Sequence, residues 1–211
     1  MDQTAKEELW NTYSHVVGVI FGIFGLLYLL LEDTHQSTYS TLSIWIYGLS
    51  FIMLFLVSSC YHAVKDIGIK TFLRKLDHIC IYFLIAGSYT PVCLIALIHD
   101  SGWLLFSSVW VISALGFILK LFYTGRYEIV SVLLYLVMGW LIVLDGKNVL
   151  ETLTENQLNL LLLGGFFYSF GVVFYLLKKL NYHHVIWHFF VLGGAVAHYF
   201  MILSIVQGEW L

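Results

Sequence analysis

Seven long apolar runs, each of about 20 residues, dominate this sequence and limit what it can fold into. A helix needs a run of about that length to cross the hydrocarbon of a bilayer. Inside lipid every backbone N–H and C=O must be paired within the chain, which permits only helices and closed barrels. Barrel strands would instead show segments of about ten residues with alternating polarity. The sequence therefore predicts an all-α integral membrane protein, a seven-transmembrane helix bundle.

Composition agrees, since 60% of the side chains are hydrophobic and 11% are charged, too few to cover a soluble globule. The fifth run is the shortest, and it needs interfacial support from Tyr127 and Trp140, or a thinner local bilayer, to span. Short connections without low-complexity tracts predict one domain over residues 1–211. The predicted spans are 11–31, 40–61, 76–98, 102–122, 127–144, 158–177 and 184–206.

The distribution of lysine and arginine indicates how the bundle is oriented. Basic residues are retained on the cytoplasmic side of short loops. Of the ten in the chain, only Lys147 falls on one side. The other nine fall on the opposite side: Lys6, Lys65, Lys70, Arg74, Lys75, Lys120, Arg126, Lys178 and Lys179. We therefore predict a cytoplasmic N-terminus and a C-terminus outside.

Four ionisable side chains fall at one depth near the predicted cytoplasmic face. His62 closes the second span, Asp77 opens the third, and His184 and His188 open the seventh. Such residues are unfavourable in a membrane and mark functional sites. His184 and His188 are four residues apart, so they share one helix face. A catalytic zinc site uses three protein ligands and leaves a position for water, and His62 would supply the third ligand.

Two further side chains would complete such a site. Ser58 precedes His62 by one helical turn and faces the same side, while Asp77 could orient a metal-bound water or bind the metal directly. A bound zinc ion lowers the pKa of its water to about 7. Each histidine alone is better explained by an interfacial position for its amphipathic ring, and the spacing of His184 and His188 alone is a weak signal. The shared depth of the four residues favours a metal.

Other polar residues in the spans have less specific interpretations. Glu8, Asn11 and His15 occur at helical spacing on the first span and could form a polar support for the site. His198 lies about 15 Å beyond His188 along the helix axis, too far to bind the same metal, and we expect a core or cavity residue. Pro91, the only proline, should kink the third span.

These residues resemble the hemolysin III group, the bacterial branch of the progestin and adipoQ receptor superfamily. The resemblance covers essentially the whole chain, and it rests on four motifs: Glu7-Glu8-x-x-Asn11-x-x-x-His15, Ser58-x-x-x-His62, Leu76-Asp77 with Gly87-Ser88-Tyr89-Thr90-Pro91, and His184-x-x-x-His188. It implies a multi-pass protein of the bacterial cytoplasmic membrane. It also implies zinc bound by His62, His184 and His188, with Asp77 and Ser58 close by.

The resemblance implies two kinds of activity. Members related to the adipoQ receptors are linked to hydrolysis of lipid amides such as ceramides, whereas the bacterial branch is named for a reported cytolytic activity. Our leading hypothesis is a membrane-embedded zinc hydrolase of lipid amide or ester bonds, with Asp77 as base and Ser58 stabilising the oxyanion.

The alternative is a non-enzymatic protein, either a zinc-stabilised membrane-homeostasis sensor or a hemolysin-type cytolysin. A pore should carry polar residues through the full bilayer depth, and here they gather at one end. Membrane lipids are the expected partners, with a lipid as the substrate of the hydrolase. The sequence has no stripe of basic residues that would indicate binding of nucleic acid.

Overall fold

The protein is described here by a computed structural model that covers residues 3–209, nearly all of them helical. Within that range seven helices are long and apolar enough to cross a membrane, which confirms the predicted bundle. They are α1 (Ala5–Leu31), α2 (Ser40–Ala63), α3 (Ile67–Ala96), α4 (Gly102–Tyr123), α5 (Glu128–Thr152), α6 (Glu155–Leu176) and α7 (His183–Val206). The predicted domain 1–211 also includes Met1, Asp2, Trp210 and Leu211, which lie outside the described residues.

Polar caps make several helices begin earlier than their apolar runs, as α1 and α3 show. The Thr4 hydroxyl accepts a hydrogen bond from the Glu7 N–H, and the Glu7 carboxylate accepts one from the Thr4 N–H. Such a capping box satisfies backbone donors that a helix start leaves unpaired. Asp66 caps α3 by accepting from the Ile69 N–H. Helices α1 and α3 therefore begin before the predicted positions 11 and 76, and each adds polar turns at one end of the bundle.

Two of the seven helices change geometry part-way along. Helix α3 is α-helical through Pro91 and continues as a π-helical turn over Val92–Ala96. Helix α5 consists of an α-helix over Glu128–Gly139, a 3₁₀ segment over Leu141–Asp145 and a final α-helix over Gly146–Thr152. The fifth span is therefore longer than the predicted 127–144, because its helix continues beyond the most apolar segment.

The helices alternate in direction, so the bundle has two distinct ends. One end is called the histidine end here, because it contains His62, His184 and His188. It is formed by the starts of α1, α3, α5 and α7 and by the ends of α2, α4 and α6. Helix α3 is the central one, with 78% of its most apolar window buried. Helix α1 packs between α2 and α7, whereas α5 has few close neighbours. A cavity of about 500 Å³ lies mainly among α3, α5, α6 and α7.

One basic residue was placed wrongly by the loop count. Lys120, counted above among the basic residues of the loops, lies inside α4 and is only 1% exposed. The other eight basic residues of that group lie in connections or outer helical turns at the histidine end, and Lys147 lies near the opposite end. Eight residues against one still predict that the histidine end is cytoplasmic.

This asymmetry predicts the topology that reporter fusions should reveal. A fluorescent protein fused after Lys70 should fluoresce, because that position lies at the predicted cytoplasmic end. Alkaline phosphatase fused after Leu211, beyond the described residues, should be active, since an odd number of spans puts the C-terminus outside. The exchanged reporters at the same two positions are the controls. The same side reported by both positions would rule out this arrangement.

Candidate metal centre

Three histidines from two helices converge at the histidine end. His62 lies in the last turn of α2, and His184 and His188 lie on successive turns at the start of α7. One ring nitrogen of each lies within 4.8 Å of the other two, so the three could hold a metal ion. Nitrogens bound tetrahedrally to one zinc ion lie about 3.3 Å apart, as follows from bond lengths of about 2.0–2.1 Å. Small side-chain movements would therefore bring the three nitrogens to bonding distance.

The hydrogen bonding of His62 suits a metal ligand. Its Nδ1 lies 2.6 Å from Oε2 of Glu8, in the first turns of α1. Its Nε2 is buried and has no hydrogen-bond partner among residues 3–209. When Nδ1–H donates to the carboxylate, Nε2 keeps the lone pair that a metal needs. Lys70 of α3 holds the other carboxylate oxygen, with Nζ 2.9 Å from Oε1 of Glu8. Metal-binding histidines commonly have such an outer carboxylate.

Helix α1 also supports His188. The ring of His15 stacks on the ring of His188, with centroids 3.7 Å apart and planes inclined by 25°. The Ser14 hydroxyl lies 3.5 Å from His188 Nδ1, and the backbone of Asn11 interacts with the same ring. Glu8 and His15, two of the three residues suggested as polar support, thus contact histidines of the cluster, and the backbone of Asn11 lies beside His188. Their supporting role stays a prediction. The sequence did not predict the individual contacts.

Asp77 and Ser58 lie beside the histidines and line the cavity with His184 and His188. The Ser58 hydroxyl is buried and faces the Asp77 carboxylate, although it makes no hydrogen bond of normal geometry within the described part of the chain. The Asp77 carboxylate does not join the three converging nitrogens, so it is placed beside a metal held by the histidines. Asp77 is half-buried, because its side chain faces the cavity.

The cavity extends from this cluster toward the opposite end of the bundle. Its middle is apolar, with walls that include Ile85, Leu136, Val143 and Leu161. His198 also lines it, with Nε2 3.4 Å from the Leu161 carbonyl oxygen, and it stays outside the histidine cluster as expected. The arrangement joins a set of potential metal ligands to an apolar space.

A second polar group at the same end was missed by sequence reasoning. Glu128 of α5 pairs with Arg74 and Lys178, at 2.9 Å and 3.2 Å, and lines the cavity. Lys120 and His78 line the same part of the cavity. The available signal was Lys120 itself, a lysine inside an apolar run, where an ionisable residue marks a functional site.

Comparison with known proteins gives the family. The family described as "Haemolysin-III related" matches residues 3–199. The chain belongs to this family. It is 39% identical to hemolysin-3 of Bacillus cereus, over 98% of this chain and 94% of that protein. It is also 39% identical to the hemolysin-3 homolog of Bacillus subtilis (strain 168), over 95% of this chain and 94% of that protein.

The similarity extends beyond bacteria. The human monocyte to macrophage differentiation factor is 32% identical to this haemolysin-III protein, over 94% of this chain and 84% of the human protein. The resemblance drawn from the sequence motifs is thereby confirmed. With its seven apolar helices, this haemolysin-III protein is a multi-pass integral membrane protein in the bacterial membrane.

The converging histidines predict a metal content that can be measured. Protein purified without chelators should carry about one metal ion per chain, because the three ligands form one site. The double variant His184→Ala, His188→Ala should lose nearly all of it. His183→Ala is the matched control, since His183 adjoins the cluster but bonds to the Phe174 carbonyl. Elemental mass spectrometry gives the ratio, and full occupancy in the double variant would refute the assignment.

Proposed function

We propose that this protein is a membrane-embedded zinc hydrolase that cleaves the amide or ester bond of a lipid. One observation carries the proposal. His184, His188, Asp77 and Ser58 all line one apolar cavity, and His62 completes a potential metal site at that place. The cavity volume of about 500 Å³ lies within the range of about 300–1,000 Å³ typical of small-molecule sites.

Zinc is the metal that suits this donor set and this chemistry best. His62, His184 and His188 would hold it, as three imidazoles do in catalytic zinc centres. When bound, zinc lowers the pKa of a coordinated water to about 7 and polarises a carbonyl. The buried and unpartnered Nε2 of His62 supports this ligand set.

Asp77 and Ser58 supply the acid–base and electrostatic parts of the mechanism. The Asp77 carboxylate faces the cavity, where it accepts a proton from the attacking water. The Ser58 hydroxyl lacks a hydrogen-bond partner in residues 3–209 and can donate to the carbonyl oxygen of the substrate as negative charge develops there. Protonated Asp77 then returns the proton to the leaving amine or alkoxide. Each group therefore has a role that its surroundings leave it free to perform.

The walls of the cavity favour a lipid as the substrate. Beyond the histidine end the lining is mostly apolar, although Glu155, Asn159 and His198 also belong to it, and burial of an acyl chain against the apolar part is favourable by the hydrophobic effect. The reacting carbonyl would then lie near the histidine end of the bundle, with the acyl chain directed toward the opposite end. Membrane lipids present such chains at this depth.

The names of the bacterial relatives support a second candidate, a cytolysin. A pore through one protomer would need polar residues along its full length. The middle of the cavity, at Ile85, Leu136 and Val143, is apolar and does not suit ion passage. A zinc-stabilised sensor of membrane state would have the same metal ligands but would need no base. Turnover therefore separates the hydrolase from both alternatives.

The substitution Asp77→Asn tests the hydrolase directly, because it keeps the shape of the side chain and removes its basicity. The variant should retain most of its zinc and lose lipid cleavage by roughly 10²-fold or more, the usual scale for a general base. The assay incubates ceramides, other N-acyl amides and acyl esters with each protein and measures both released fatty acid and bound metal. Asp100→Asn is the matched control, since Asp100 is exposed in the connection before α4.

Two outcomes would count against the proposal. Undiminished cleavage by Asp77→Asn would remove Asp77 from the mechanism. Absence of cleavage by the zinc-loaded wild type across the whole panel would favour the sensor. Loss of zinc together with activity in Asp77→Asn would instead make Asp77 a metal ligand.

A further inference from the structure

Lys120 occupies an unusual position for a lysine in a membrane protein. It lies in the last turn of α4, where a lysine ordinarily extends its stem so that the ammonium reaches water at the interface. Its side chain instead points inward, is 1% exposed and lines the cavity. Within residues 3–209 its ammonium forms no hydrogen bond and no ion pair.

The carboxylates near Lys120 are already engaged with other groups. Glu128, which attracts Lys120 electrostatically, pairs through one oxygen with Arg74 and through the other with Lys178. Asp77, the other carboxylate on this part of the cavity wall, interacts with His62, Ser58 and Arg74.

The cations around this end of the cavity outnumber the anions. Arg74 repels the ammonium of Lys120, and His78 also lies within electrostatic range of it. Three cations, Arg74, Lys120 and Lys178, thus stand against the two carboxylates of Glu128 and Asp77. Arg74 and Lys178 pair with Glu128 from outside the cavity wall, and Lys120 is the lysine that lines the wall itself.

We propose that Lys120 binds the anionic group, a carboxylate or a phosphate, of a single-chain lipid whose tail occupies the cavity. A buried ammonium without a counter-ion is strongly unfavourable at membrane depth, and an anionic ligand would supply that counter-ion. The apolar walls beyond Lys120 supply the surface that an acyl chain needs. The same cavity then combines recognition of charge at one end with burial of a chain along its length. This binding does not depend on hydrolysis.

Ligands that share one chain and differ in head group test this proposal. Full-length protein in an uncharged detergent would be titrated with radiolabelled palmitate, a palmitoyl lysophosphatidate and hexadecanol. Wild type should bind at least one of the two acidic lipids about tenfold or more tightly than hexadecanol, because a charged hydrogen bond is worth at least that factor. Lys120→Met should remove this preference and leave hexadecanol binding unchanged, and Lys120→Arg should keep it.

Control measurements separate a specific site from general charge and from misfolding. Lys65→Met removes an exposed cation at the same end of the bundle and should change none of the affinities. Hexadecanol binding and the melting temperature report whether each variant is folded. Palmitate and lysophosphatidate are then compared for the affinity that each loses in Lys120→Met. The larger loss shows whether the site takes a carboxylate or a phosphate, and either result supports the proposal.

Three results would overturn it. The first is equal binding of palmitate, lysophosphatidate and hexadecanol by wild type, a comparison that needs no variant. The second is an acidic-lipid preference that survives in folded Lys120→Met. The third is Lys120-dependent binding of inorganic phosphate without any preference for acidic lipids, which would make the residue a site for a free anion.

Discussion

The hydrogen bond between Glu8 and His62 joins α1 to α2 at the depth where the histidines of α7 arrive. A buried imidazole in lipid surroundings needs a partner for its N–H, and Glu8 provides one while Lys70 of α3 neutralises the carboxylate. The same interaction fixes which nitrogen of His62 remains free for a metal. Stacking of His15 on His188 gives α1 a second contact with the cluster. Helix α1 therefore contacts histidines of the cluster on two other helices without contributing one to the cluster.

The cavity beside the histidine cluster has polar residues at the histidine end and an apolar middle, as the proposed chemistry requires. At the histidine end the wall carries Asp77, Ser58 and Lys120, whereas the middle of the cavity is apolar. Helix α5, which forms one side, has few close neighbours and changes its helical geometry part-way. A loosely packed helix beside an apolar space is compatible with entry of a lipid from the bilayer. A potential metal site, the carboxylate of Asp77 and the ammonium of Lys120, unpaired within residues 3–209, thus lie at one end of a mostly apolar cavity.

The depth of a residue in the bilayer could be predicted from the sequence. The direction in which its side chain points around the helix axis could not. The apolar runs and the positions of His62, His184 and His188 within them were enough to predict seven helices and a shared depth. Whether a side chain turns toward the core depends on how each helix packs, which is why the sequence did not show that Lys120 is buried in α4. The early start of α3 was missed for a related reason, because a polar cap extends a helix beyond its apolar run. Glu8 was expected as general polar support, but its pairing with His62 depends on the contact between α1 and α2.

We propose that His62, His184 and His188 together bind one zinc ion and leave a position open to water. X-ray absorption at the zinc edge of the purified protein measures the ligand atoms directly. We expect three imidazole nitrogens at about 2.0–2.1 Å and one further oxygen from water. Fewer than three imidazoles, or a sulfur ligand at about 2.3 Å, would contradict it.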